Sequence, residues 1–146
     1  MIEIVTSENL EEVLPLIKEY QIFYGVKNIN ENRNKLYFSQ FTKNHEKGIL
    51  HLYRVNKEVI GFTTIYKGYS STKAEVVAIL NDLYIQPTYR KKGYATELVN
   101  NALDTAKKMG LSRLQWLTAE DNVKAQQLYD SLGAQKSSWL FYAKET

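Results

Sequence analysis

Residues 76–96 constrain the fold of this chain more than any other stretch. A nearly unbroken apolar run, 76–85, leads through Gln86-Pro87-Thr88-Tyr89 into Arg90-Lys91-Lys92-Gly93, and a helical pattern begins at once. Such a run suits a central strand covered on both faces. After Gly93, the residues Ala95, Leu98, Val99, Ala102, Leu103, Ala106 and Met109 recur at helical spacing. Lys107, Lys108 and Gly110 mark the end of that helix. Residues 114–118 read as a further strand. Strand, helix and strand in this order form a crossover, so the two strands are expected to be parallel. The turn between the first strand and the helix sets unpaired backbone N–H groups beside two lysines and an arginine. That arrangement suits a phosphate or pyrophosphate. The bland alternative is a solvated loop whose glycine only eases a turn.

Other elements follow from the same kind of pattern. Ile2-Glu3-Ile4-Val5 is a short strand, with Thr6 or Ser7 placed to cap a helix carrying Leu10, Val13, Leu14, Ile17 and Tyr20. Pro15 should kink or divide that helix. Leu36, Tyr37, Phe38 and Phe41 suggest a second, shorter helix within the polar stretch 25–47. Residues 49–55 and 59–66 read as an antiparallel hairpin about Asn56-Lys57-Glu58. Ala125, Leu128, Tyr129 and Leu132 form another helical stripe, stopped by Gly133, and residues 139–143 read as a closing strand.

Length and composition narrow the classes. At 146 residues the chain is expected to be one domain, 1–146, able to bury a core. Charged residues at 24% and hydrophobic ones at 44% argue against disorder. A net charge of +3 is too small to imply nucleic acid. No apolar run reaches the ~18 residues of a membrane helix, and the N-terminus lacks the pattern of a signal peptide. With no cysteine there is no disulfide framework, zinc–thiolate site or thiol nucleophile. His45 and His51 lack a partner at metal-ligand spacing, so no metal site is assigned. A cytoplasmic protein without membrane or nucleic-acid partners is expected.

Two motifs carry a family resemblance. Arg90-Lys91-Lys92-Gly93-Tyr94-Ala95, after a central strand and before a helix, resembles the R/Q-x-x-G-x-G/A signature of the GNAT superfamily of acyl-CoA-dependent N-acyltransferases. Asn122 and Tyr129 stand seven residues apart in Asn-Val-Lys-Ala-Gln-Gln-Leu-Tyr, at the superfamily's second motif. Residues 81–133 are covered, and Asn-Asp-Leu-Tyr-Ile before the turn resembles the polyamine and histone-tail branches. The resemblance implies an α+β, three-layer fold: a mixed central sheet, helices on both faces, and a parallel strand pair splayed around the coenzyme A site, open between the strands ending near Ile85 and Thr118. It implies acetyl-CoA as cofactor, coenzyme A as product and no metal. Leu83, Tyr84 and Ile85 would lie along the pantetheine arm. Backbone N–H groups from Arg90 through Lys91, Lys92, Gly93, Tyr94, Ala95 and Thr96 would hold the pyrophosphate. Asn122 would bond the pantetheine, and Tyr129 would point its hydroxyl at the thioester sulfur.

The implied activity is N-acetylation of a primary amine by direct transfer through a tetrahedral intermediate. The acceptor expected is a small molecule such as a polyamine, an amino acid or an amino-bearing antibiotic. A protein lysine or N-terminus is the alternative, as is a non-catalytic domain that senses acyl-CoA. A nucleotide switch is set aside for want of a P-loop ending. An alkyl amine with a pKa near ~10 is neutral in only about one molecule in a thousand at pH 7, so a proton must be accepted. Asp82 could be that base, could bind the acceptor's ammonium, or could be a structural carboxylate. Asn81 stands where the polyamine branch has a second acid. Tyr20, Phe23 and Tyr24 could line the acceptor pocket or pack in the core. Tyr53, Tyr66 and Tyr142, with Trp116 and Trp139, read as strand and core residues. The apolar edge Trp139-Leu140-Phe141-Tyr142 points to a homodimer.

Overall fold

In the computed structural model, which describes residues 1–146, the chain forms two compact units, Met1–Trp116 and Leu117–Thr146. The first begins with strand β1 (Ile2–Ile4), followed by helices α1 (Leu10–Phe23) and α2 (Glu31–Ser39). Strands β2 (Gly48–Val55), β3 (Glu58–Ser70) and β4 (Glu75–Ile85) come next. Helix α3 (Tyr94–Lys108) and the short strand β5 (Leu114–Gln115) complete it. Helix α4 (Val123–Ser131) belongs to the second unit.

The five strands lie side by side in the order β1-β2-β3-β4-β5. Neighbours from β1 to β4 are antiparallel. Asn56 and Lys57 adopt φ of 48° and 71°, the left-handed pair that turns a two-residue hairpin between β2 and β3. The crossover through α3 returns a parallel strand, with Ala78 opposite Leu114 and Ile79 opposite Gln115. The sheet is therefore mixed, as expected.

Each face of the sheet buries its own helices. Val13, Leu16 and Ile17 of α1 and Phe38 of α2 pack with Leu50, Leu52, Phe62 and Tyr84. On the other side, Leu98 of α3 packs with Tyr53, Ile60 and Ile85. Burying roughly a dozen such side chains, at ~1.5–3 kcal/mol each, is what holds the layers together against the chain's conformational entropy. Gly61 is required where the layers meet β4. A Cβ there would stand 2.6 Å from the carbonyl oxygen of Tyr84.

Three expectations are corrected. Pro15 neither divides nor ends α1, which is one helix from Leu10 to Phe23. Pro15 is exposed, so the carbonyl that loses its N–H partner can turn to water. Strand β5 covers Leu114–Gln115 and stops before residues 116–118. Residues 139–143 form no strand, and Trp139, Leu140, Phe141 and Tyr142 are 81–85% exposed, so Trp139 is not a core residue. An apolar run has the composition of a strand whether or not a ladder partner exists for its backbone, and no strand of this chain pairs with it.

Candidate active site

The turn before α3 has the geometry of an anion cradle. A short 3-10 turn at Pro87–Tyr89 ends in Arg90, and Lys91 and Gly93 then take φ of 60° and 88°. Gly93 is the N-cap of α3 and offers no side chain to the first turn. The backbone N–H groups of Lys91 through Thr96 consequently donate to no carbonyl or side chain of the chain. A Cβ on Gly93 would meet nothing within 4 Å, so this side of the loop is open. The first turn is anchored from behind: the Tyr53 hydroxyl donates to Glu97 Oε2 at 2.6 Å, and that bond pushes the Tyr53 phenol up to about 12. Tyr94 and Ala95 pack inward against the Leu98 cluster, leaving their backbone to face out.

Arg90 does a different task from the one its place in the motif suggests. Its own N–H donates to Pro87 O at 3.2 Å, so the open row starts at Lys91. Its Nε donates to Ile85 O at 2.8 Å, and its guanidinium lies 5.7 Å and 5.6 Å from the ring centres of Phe23 and Tyr84. Arg90 thus fastens the turn to the end of β4 and to α1.

The edge of β4 is the second element. Gln86 N donates to Ile60 O at 2.9 Å. By the alternation of an antiparallel ladder, Tyr84 and Asp82 also turn their amides toward β3, whereas Leu83 and Ile85 turn theirs to the opposite edge. Strand β5 pairs only with Ala78 and Ile79, so within residues 1–116 that edge is unpaired by any strand from Leu80 to Ile85, with Ile85 O taken by Arg90. Tyr84 is corrected accordingly: its amide serves the β3 ladder, its side chain is buried, and its hydroxyl donates to Glu19 Oε2 at 3.0 Å. It supports the site from beneath and does not line the edge.

The face of β4 toward α1 carries the third element. Thr64 lies opposite Asp82 but Ile65 lies opposite Leu80, so Asn81 is an extra, bulged residue. The bulge leaves Asn81 exposed and turns Asp82 inward at 8% exposure. Asn81 Nδ2 donates to Asp82 Oδ2 at 3.2 Å. The Tyr20 hydroxyl is turned toward Asp82 and Tyr24; burial first, then the Asp82 charge, raise its pKa. Tyr20 meets Tyr24, Phe62 and Tyr84 edge-on, with ring centres 4.8, 5.7 and 6.0 Å away. Thr64 Oγ1 is fully buried beside this carboxylate without a hydrogen-bond partner. Tyr20, Tyr24 and Asp82, named separately from the sequence, therefore converge. Thr64, Tyr66 and Glu19 were missed. Only Glu19, one position before Tyr20 on the helix expected to line the pocket, carried a sequence signal.

In the second unit, Asn122 is the N-cap of α4, its Oδ1 accepting Ala125 N–H at 3.3 Å. Tyr129 follows two turns later on the same helix, half-buried, and the helix closes at Gly133 with φ of 74°. The spacing of the second motif is thus a helical one, with the capping amide still able to donate through Nδ2. No group of three or more His, Cys, Asp or Glu side chains is disposed to hold a metal ion. No helix is long and apolar enough to cross a membrane.

Known proteins resemble this chain in sequence and fold. The profile of the Acetyltransferase (GNAT) family matches residues 12–134. An uncharacterized N-acetyltransferase of Bacillus subtilis, YhfO, is 32% identical over 126 residues, covering 86% of this chain and 83% of that protein. The thialysine N-epsilon-acetyltransferase of Caenorhabditis elegans is 27% identical over 130 residues, covering 88% and 78%. A solved structure of a probable acetyltransferase superposes with a TM-score of 0.86 at 26% identity, covering 100% of this chain and 97% of that one. With the family profile spanning most of its length, the chain belongs to the GNAT family and is an acetyltransferase.

Proposed function

We propose that the protein transfers the acetyl group of acetyl-CoA directly to a primary amine of a small molecule, with Asp82 receiving the acceptor's ammonium. The observation that carries this reading is the pairing of two sites on β4 and its turn. The N–H groups of Lys91 through Thr96 have no partner in the chain, and a buried carboxylate is walled by tyrosines on the inner face of the strand. These features fit acetyl-CoA: the open N–H row and Lys91 or Lys92 suit its pyrophosphate, and the free amide of Leu83 on the open edge of β4 suits its amide-bearing arm. When bound, acetyl-CoA supplies an acyl carbon activated as a thioester.

The chain's own residues do the rest. Asp82 holds the ammonium by charge and takes up its proton, which frees the nitrogen lone pair. The Ile85 N–H is assigned to the oxyanion that forms at the acyl carbonyl. Asn122 is assigned to the pantetheine arm, and the Tyr129 hydroxyl to the proton that the departing sulfur requires. The thialysine enzyme among the relatives supports a small amine as acceptor.

A panel of amines incubated with acetyl-CoA, with release of free thiol followed, tests the proposal. Turnover of at least one small primary amine is expected. Tight acetyl-CoA binding without turnover of any amine would make the protein a sensor. We further propose a homodimer formed through the exposed Trp139-Leu140-Phe141-Tyr142 segment. A concentration-independent monomer mass in sedimentation would reject it.

A further inference from the structure

Beside the Asp82 site lies a cleft of about 270 Å³, lined by Tyr37, Gln40, Phe41, Lys47, Tyr66 and Lys67. Tyr66 belongs to both places. It is two residues from Thr64 on the same face of β3, a step of about 7 Å, and it feels the negative charge of Asp82. Its ring stacks on Phe41, with centres 5.2 Å apart and planes 25° apart. Its hydroxyl lies 3.2 Å from that of Tyr37. One wall of tyrosine hydroxyls therefore runs from the buried carboxylate to the cleft.

The charges at the two ends are opposite. Asp82 is the acid at the inner end. The cleft has no acidic lining residue, and its two charged members are Lys47 and Lys67. Neither lysine forms a salt bridge, unlike Lys18, Lys35, Lys107 and Lys136 elsewhere. Lys67 N donates to Lys47 O at 3.0 Å, which ties the two positions together. A diamine would bring only like charge to this cleft, whereas the carboxylate of an amino acid, beside its α-ammonium, would gain the Lys47 cation and the tyrosine hydroxyls.

We propose that this cleft is the subsite for the acceptor's carboxylate, so that the substrate is an amino acid whose side-chain amine reacts at Asp82 rather than a diamine or polyamine. The inference rests on the acetyl-transfer reading of the Asp82 site. The contact is solvent-accessible, because Lys47 is exposed; Lys67, next after Tyr66 in β3, lines the cleft through its backbone and turns its side chain to the other face. Its discrimination is therefore about tenfold, the scale of one well-placed ion pair.

Initial rates with L-ornithine and putrescine, the same carbon chain with and without the carboxylate, test this at saturating acetyl-CoA. L-Lysine and cadaverine repeat the comparison at the next chain length. The expected result is a kcat/KM about tenfold higher for the amino acid of at least one pair. Lys47→Glu should lower that value about tenfold and leave the diamine unchanged or improved, with Lys47→Gln intermediate. Equal rates for amino acid and diamine, or an equal effect of Lys47→Glu on both, would overturn the assignment. Failure of all four compounds would overturn it too. The wider amine panel would then separate the two readings: turnover of another amine keeps acetyl transfer, and turnover of none removes both.

Discussion

Asp82 stands directly opposite Thr64 across the β3–β4 ladder, one residue beyond the bulge at Asn81. Were Asn81 paired rather than bulged, the register would run on from Leu80, and Asn81 would take the inward place while Asp82 faced α3. The bulge thus decides which of two adjacent polar residues enters the tyrosine-lined site. It also explains how a carboxylate is kept at 8% exposure: it is buried with a donor, Asn81 Nδ2, and within the influence of the Tyr20 phenol, rather than alone.

Asp82→Asn keeps the shape of the side chain and removes its charge. It should lower kcat/KM for the amine acceptor by about a hundredfold, in the range for losing an acid–base group. Acetyl-CoA affinity should be unchanged. Asn81→Ala, at an exposed position, should stay within about threefold of the native enzyme. Steady-state kinetics on both variants checks the pair, and an unaltered Asp82→Asn enzyme would make the carboxylate structural.

Gly93→Glu should abolish acetyl-CoA binding while the protein remains folded. Open space surrounds the position of the new Cβ, so the fold bears only the strain of a side chain at φ 88°, ~1–2 kcal/mol. The carboxylate would repel the pyrophosphate. Gly93→Ala serves as the control for strain without charge. Titration calorimetry that finds native affinity in Gly93→Glu would move the cofactor away from this turn.

Tyr129→Phe should leave the ring's packing on α4 and the affinity for acetyl-CoA in place. It should lower kcat by roughly ten- to a thousandfold, as expected for removal of one proton donor. If the hydroxyl only satisfies a buried neighbour, the melting temperature will drop and kcat will not. Both are measured on the same preparation.

His51 predicts a loss of stability in acid. It is buried in β2 with Nδ1 unpartnered. Burial first, then the charges of His45 and Lys108, holds its pKa down to about 4. In the unfolded chain the same imidazole takes a proton near ~6.5. Its neutral form therefore contributes full stability above that pH, and the contribution is lost as pH falls from about 6.5 through 4. The total is up to about 3 kcal/mol. Urea midpoints at about pH 7 and pH 4.5 should differ less in His51→Leu than in the native protein, and an equal difference would dismiss His51 as the source.

Local patterns in the sequence determined the crossover. An apolar run, a glycine-containing basic turn and a helical stripe each report on their own few residues, and together they required the parallel pair of β4 and β5 and the open N–H row at α3. The same locality made residues 139–143 misleading, since β-like composition does not reveal whether a partner strand exists. Tertiary structure alone decided the rest. Arg90 was drawn to Ile85 O and two aromatic rings because α1 packs against the end of β4, and Tyr84 was turned to Glu19 by the same contact. Whether Asp82 pointed into the site depended on a register that β3 imposes on β4. The convergence of Tyr20, Tyr66 and Thr64 on that carboxylate brings together residues from α1, β3 and β4. No pattern within any one segment encodes such a meeting, because it arises from how the sheet and helix are packed.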